Sequence, residues 1–426
     1  MTSIWGALLL ALSLGLGGAQ KAPSPSPKQA LVYAPESADH MVFVNVRAIL
    51  GPAIATANTI IDQPFIKEFP EVYDAAKMGL REMSNGLGMI QQQFGFDVTK
   101  DIAYLVAWVR YRGEGAPDLL LAVKGKFGDD PLGKISQVTG GQITELRGRP
   151  AMRAGPMLMM FGADGTLLFG SPEWVEERSL ATWSGRRPKG VSALAAKALK
   201  NKPFLLLASQ PSDTARSFMQ AGMDDEELAL FRDMFTRHNH MSLWLAADGV
   251  GWEWAARDAE AFATASMASE GMIELMRAGQ VGVRGFVRLA LAGLSSYTEV
   301  EPMIARVVKH RDSILKFVVD RSGDGTFKAK VSANARKRTV TVVAKSKRLD
   351  QVLPVGALIP MVGAGAAMVM LRSADGMMMD PGSEKAEEPA RTEPDQPGEA
   401  RPAPEPAPPA MDVDPKRPVI DPSPEK

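Results

Sequence analysis

The sequence predicts an α+β protein with antiparallel or mixed sheets, and three observations predict it. Six runs, MVFVNV, AYLVAWV, DLLLAVKG, PFLLLAS, MSLWLAA and GWEWAAR, carry the β-branched, aromatic and large apolar residues of strands. Between them lie stretches with the 3.6-residue apolar period of helices. Asp-Gly pairs at 164–165, 248–249 and 324–325 stand between apolar runs, the strongest short signal for a hairpin, and a hairpin makes its strands antiparallel.

In chain order, the first element is an apolar run from Ile4 to Leu16 followed by Gly17 and Ala19, small residues placed for cleavage before Gln20. It reads as a secretory signal peptide over residues 1–19, too short for a comfortable transmembrane helix. Residues 20–34 form a linker, whose KAPSPSPKQ stretch, Lys21 to Gln29, is a Pro/Ser spacer expected to stay extended and unfolded.

A lobe over residues 35–190 begins with a strand at Met41–Val46 and two helical stretches within Ala48–Gln93. Strands at Ala103–Val109 and Asp118–Gly125 follow, then a helix at Pro131–Val138. A second lobe over 191–372 repeats that order. It has a strand at Pro203–Ser209, helices at Ser212–Gln220 and Asp225–Phe235, strands at Met241–Ala247 and Gly251–Arg257, and a helix at Asp258–Arg277. Strand, helix, helix, strand, strand, helix occurs twice, which predicts an architectural duplication. Each half adds antiparallel ribbons: LMMFG with TLLFG and a helix from Pro172 in the first, ILKFVVD with FKAKVSA and TVTVVAK in the second.

Val352 to Leu371 contains no charge across twenty residues and meets the length of a membrane span. Two prolines, three glycines, basic residues before it and acidic residues after it favour a buried C-terminal helix or helix-turn-helix instead, because the charge order reverses the positive-inside preference. Residues 373–426 form a tail. From Asp380 onward it has 13 prolines, 12 acidic and 6 basic residues and almost no large apolar side chain, so ordering it would not be repaid by burial.

Composition removes several function classes. Lys plus Arg and Asp plus Glu both total 49, so no global charge draws the chain to nucleic acid. The absence of cysteine excludes disulfides, thiol catalysis, thiolate metal sites and a lipid-accepting cysteine after the signal. There is no GxxxxGK[ST], no GxSxG elbow and no HExxH, and the glycines at Gly363 and Gly365 lack the rest of a dinucleotide fingerprint. No catalytic residue and no cofactor is predicted.

Four candidate sites stand out. DRSGDGTFKAKV, from Asp320 to Val331, places Asp320, Ser322, Asp324, Gly325 and Thr326 as an EF-hand loop does, but Val331 replaces the bidentate glutamate and Lys328 opposes a cation. Its flanks read as strands, so it is a hairpin turn. His238 and His240, two of four histidines, would share one face of a strand and begin a zinc or copper site. The many methionines, such as Met157, Met159 and Met160, fit copper chemistry or adaptable core packing. Trp252 and Trp254 share a strand face as a ligand platform or as core.

The fourth candidate is basic. Lys328, Lys330, Arg336, Lys337, Arg338, Lys345, Lys347 and Arg348 fall within 21 positions that hold no acidic residue. Alternation sets Phe327, Ala329 and Val331 on the face opposite Lys328 and Lys330. Such a ribbon either guards a sheet edge against pairing or docks an anionic envelope polymer, lipid headgroups or the acidic tail. Nucleic acid is not expected as a partner, for want of any binding motif.

Phe94-Gly95-Phe96-Asp97-Val98-Thr99-Lys100-Asp101-Ile102, leading into a strand and taken with the signal peptide and the duplicated halves, resembles exported bacterial proteins with large two-lobed α+β domains of unknown function. The resemblance spans about residues 35–372. It implies a bacterial envelope location, periplasmic or extracellular, and transfers no catalytic residue. The expected function is a non-enzymatic binding or structural module. The alternatives are a zinc- or copper-binding periplasmic protein using His238 and His240, and a membrane anchor at 352–371.

Overall fold

In the computed structural model, twelve strands hydrogen-bond side by side into one sheet. They are β1 (His40–Val44), β2 (Ile102–Arg110), β3 (Asp118–Gly125), β4 (Gln142–Leu146), β5 (Arg149–Ala154), β6 (Met157–Phe161), β7 (Leu167–Gly170), β8 (Leu205–Ser209), β9 (His238–Ala246), β10 (Gly249–Ala256), β11 (Lys328–Asn334) and β12 (Thr339–Lys345). Their spatial order is β11-β12-β10-β9-β8-β1-β2-β3-β7-β6-β5-β4. Neighbours run antiparallel throughout, and with the intervening helices this is an α+β fold. The structure describes residues 25–113, 116–183, 187–221, 236–271, 273–274, 302–322 and 328–345. All of these lie in one unit, Met1–Met368, and a second unit, Val369–Lys426, lies outside them.

Sheet order shows how the halves meet. β1 pairs with β2 on one side and with β8 on the other, so the sheet runs unbroken across the 190/191 boundary expected between lobes. The second half's counterpart to the repeated helices, 225–235, falls outside the described residues.

One face of this sheet holds the main core. Met41, Phe43, Val106, Trp108, Leu120 and Leu206 are at most 1% exposed and alternate with outward residues along their strands. Helices Pro27–Leu31, Pro172–Arg178 and Gly190–Ala198 cover them with Leu31, Trp174, Val175, Val191 and Ala195. Burying a side chain of this size contributes about 1.5–3 kcal/mol.

Several expectations change. The spacer Lys21–Gln29 was expected to be unfolded, yet a helix begins at Pro27, because Ser26 and Gln29 form a capping box and the turn buries Ala30 and Leu31. ILKFVVD was expected as a strand, but Arg311–Ser322 is a helix. A short apolar run fits either period, and Asp312 in the first turn favours the helix dipole. β11 therefore pairs with β12 through the turn 335–338, and the hairpin expected at Asp324-Gly325 loses its first strand, the Asp-Gly pair itself lying outside the described residues. The Asp-Gly pairs at 164–165 and 248–249 do join β6 to β7 and β9 to β10.

Strands β4 and β5, and helices Gly190–Ala198 and Pro302–Lys309, were not expected. β4 is QITEL, nearly all exposed, and its tight turn to β5 is Arg147-Gly148, both with positive φ (51° and 72°) but without the Asn-Gly or Asp-Gly signature.

The stretch 94–102 is a helix-to-strand connector. Helix Pro70–Phe94 ends at Gly95 in the left-handed region, φ 79°. Asp97 then accepts from the Thr99 backbone N–H (2.9 Å) and hydroxyl (2.6 Å) and pairs with Lys100 at 2.9 Å, while its own N–H donates to Asp101 at 2.7 Å. The Thr99 and Lys100 hydrogen bonds hold the Asp97 carboxyl at about 2. Its residues set the entry of β2 and carry no free chemistry.

Candidate functional site

The second face of the sheet is the place where structure and sequence leave something unexplained. Registers place one apolar residue from every strand in a single row: Ile143, Met152, Met159, Phe169, Leu121, Ala107, Val42, Leu207, Leu243, Trp252, Val342 and Val331. Flanking positions repeat the character. Val44, Leu105, Val123, Leu205 and Leu245 lie on one side of the row, and Val109, Leu119 and Met241 on the other. An antiparallel sheet with one solvated face alternates apolar and polar, and these strands do not.

Helices cover the row towards both ends, though its last residue on β4, Ile143, stays 51% exposed. Towards β5, helix Pro131–Thr139 packs Leu132 and Ile135 against Met152, Leu167 and Phe161. Towards β10, the helix over residues 259–271 sets Phe262 and Ala265 against Trp252, Trp254 and Val342, and Trp252 Nε1 donates to Ser269 at 3.0 Å. Trp252 and Trp254 therefore do share a face, as expected, and serve as core. Between these caps, Phe169, Leu121, Ala107, Val42, Leu207 and Leu243 stay half-buried. Helix Val46–Ile61 flanks the middle at its far edge, where Ala48 and Ile49 pack with Val44, Leu205 and Leu245.

Polar groups close one edge of this strip. His40 and Ser209 are paired across β1 and β8 on the same face, and the Ser209 hydroxyl lies 3.1 Å from His238 Nε2. His238 is fully buried and edge-on to Trp254. Burial pushes the His40 imidazole below its usual range, against the pull of Asp39. The neutral ring sits edge-on to Tyr111.

His238 and His240 do not share a face. A β-bulge at Asn239 sets His240 opposite Ala255 but His238 opposite Ala256, and successive residues of β10 point to opposite faces. His240 instead faces Glu253, at 3.5 Å, on the core side of the sheet. That contact, against the cost of partial burial and with help from Lys197, holds the Glu253 carboxyl at about 2. Among the described residues no three His, Cys, Asp or Glu side chains are grouped to hold a metal ion.

The basic ribbon is where strand alternation put it. Lys328, Lys330, Arg336, Lys337, Arg338 and Lys345 are exposed, Ala329 and Val331 are half-buried, and Phe327, Lys347 and Arg348 lie outside the described residues. Of the EF-hand-like stretch, residues 323–327 lie outside them; Asp320 to Ser322 end a helix where a strand was expected, and Lys328 to Val331 belong to β11. Residues 352–371 are outside too. Among the described residues no helix is long and apolar enough to cross a membrane.

A polar cleft of about 330 Å³ opens beside Ser37, Arg110, Trp174 and Arg178. Its cations are already engaged. Arg110 stacks 5.0 Å over Trp174 and donates to Asp118 and to Ser37, and Arg178 donates to the carbonyls of Tyr33 and Ala34. The cleft is a brace between the N-terminal segment and helix Pro172–Arg178.

The apolar row has a sequence signal in the strands themselves. LLLAV, FLLLA and YLVAWV are continuous apolar runs, and continuity in a strand means that both faces are apolar.

Comparison with known proteins adds little. No family model and no curated protein matches this chain. Two solved structures, crystal forms I and III of TP0453, give 10% identity and a TM-score of 0.33 over 79% of this chain and 98% and 99% of theirs. Crystal form IV of TP0453 gives 11% identity and a TM-score of 0.30 over 56% of this chain and 82% of that one. The structural likeness is weak, and no assignment of function follows from it.

Proposed function

We propose that the chain is an exported, non-enzymatic binding module of a bacterial envelope, and that the half-buried strip on the second face of its sheet holds an apolar ligand such as an acyl chain. The observation that carries this reading is the unbroken apolar row across all twelve strands, flanked by helix-covered stretches at β5 and at β10 and half-buried between them at Phe169, Leu121, Ala107, Val42, Leu207 and Leu243. Covering apolar surface yields about 25 cal/mol for each Å² removed from water, so a ligand lying along these side chains gains affinity without any charged anchor. The signal-like N-terminus supports export, and the missing catalytic signatures support binding over catalysis.

Titration with the neutral fluorophore N-phenyl-1-naphthylamine tests the reading. A single saturable site is expected, with displacement by a long-chain alcohol. Ala107→Phe fills the middle of the strip from a half-buried position and is expected to weaken the probe about tenfold or more while the chain stays folded. Failure of folded wild-type protein to bind saturably would sink the proposal.

A further inference from the structure

We propose that the β11–β12 ribbon is a docking surface for an anionic lipid bilayer. Six exposed cations sit on it, Lys328, Lys330, Arg336, Lys337, Arg338 and Lys345, and among the described residues none has a carboxylate partner. Elsewhere on the described surface several cations are paired, Arg112 with Asp118 and Glu173, Lys124 with Asp164, Lys197 with Glu253, Arg237 with Asp258 and Glu260, although Lys126, Arg147, Arg153, Lys200 and Lys202 are also exposed without a carboxylate partner among the described residues.

Guarding the sheet edge explains two of the six cations. β11 is the terminal strand, so Lys328 and Lys330 do discourage another strand from pairing there. Lys345 has no such task. It stands on β12, which is paired on both sides, and it lies directly opposite Lys328, an arrangement of like charges that weakens the ribbon. Arg336, Lys337 and Arg338 belong to the turn between the strands and guard no edge either. Arg338 even adopts a left-handed backbone, φ 49°, to make this turn, and donates to the carbonyl of Arg257. The cations left over after edge protection are those that an external anion would neutralise.

Geometry favours an extended surface over a small anion. Lys328 and Lys345 mark one end of the ribbon and the Arg336–Arg338 turn marks the other, about 20 Å away at strand spacing. No single phosphate spans that distance, whereas the headgroup plane of an anionic bilayer meets both ends at once. Each lysine or arginine brought to such a surface strengthens binding by roughly fivefold, and the gain fades within a Debye length. This inference does not rest on the apolar-ligand reading, since the ribbon could dock whether or not the strip is filled.

The test is vesicle co-sedimentation of the full chain at low salt, with phosphatidylcholine alone or with about one third phosphatidylglycerol. Wild-type protein is expected to bind the anionic vesicles at least about tenfold better than the neutral ones, and to be released near 0.5 M salt. The variant Arg336→Gln/Lys337→Gln/Arg338→Gln/Lys345→Gln is expected to lose about tenfold or more. All four positions are exposed, so its circular dichroism should match wild type and its melting temperature should change only by what the lost Arg338 to Arg257 hydrogen bond contributes, and the salt titration of wild type reads the same charge without any substitution. Equal binding by variant and wild type overturns the proposal, as does the absence of vesicle binding at low salt. Salt-sensitive binding to heparin without vesicle binding also overturns it, in favour of a soluble polyanion.

Discussion

Tyr33 is a small case of how this fold fixes an N-terminal segment that the sequence presents as a spacer. Its hydroxyl donates to Asp164 Oδ1 at 2.5 Å, and Asp164 also accepts from the Thr166 backbone at 3.0 Å and from Lys124 at 3.0 Å. Partial burial opposes ionisation of Asp164, but the Tyr33, Thr166 and Lys124 hydrogen bonds outweigh it and hold the carboxyl at about 2. A lowered carboxylate pKa stabilises the fold above the unfolded value of 3.8, and that contribution is lost as the pH falls from there towards 2. Because the carboxylate is half-exposed, its worth is about 1 kcal/mol. Tyr33→Phe is accordingly expected to cost about 1–2 kcal/mol in urea unfolding near neutral pH, with a smaller cost at pH 2. An equal cost at both pH values would show that the hydroxyl acts through packing and not through Asp164. The sequence announced the Asp-Gly turn at 164–165; its partner, 131 residues earlier, could be known only from the fold.

Single elements depend on backbone detail that pattern reading does not reach. The bulge at Asn239 is one such detail, since strict alternation would have brought His238 and His240 together, and one extra residue sends His238 to Ser209 and His240 to Glu253. Gly170 is another. It pairs with Leu120 on β3 and Leu158 on β6, its φ is 155°, and a Cβ there would lie 1.9 Å from the carbonyl oxygen of Leu119. Gly170→Ala is expected to destabilise the protein by about 3 kcal/mol or more, since the clash is with backbone and cannot be relieved by a side-chain rotation. Thermal unfolding checks it, and a loss under 1 kcal/mol would mean that β3 and β7 can separate locally at little cost.

At the scale of the whole molecule, the join between β1 and β8 decides how the halves behave. Five residue pairs from His40↔Ser209 to Val44↔Leu205 close the sheet across the chain's middle. Cutting there exposes two apolar edge strands, which invite aggregation. Residues 35–190 and 191–372 expressed as separate pieces are therefore expected to be insoluble or to lack cooperative unfolding. Two soluble fragments, each with its own sharp transition, would show that the halves are independent domains after all.

The sequence by itself determined the element types over most of the described residues, the two Asp-Gly hairpins at 164–165 and 248–249, and the exposure of the lysines on β11, because each depends on neighbours a few residues apart. It also held the apolar character of both sheet faces in runs such as Asp118-Leu-Leu-Leu-Ala-Val123. Only the tertiary structure decided which strands sit side by side, and hence that the two halves make one sheet, that the histidines part company, and that Lys345 faces Lys328. The physical reason is the range of the forces involved. Backbone angles and side-chain period are local, whereas register, bulges and the cover over a sheet face are set by contacts between residues far apart in the chain, as Tyr33 and Asp164 are.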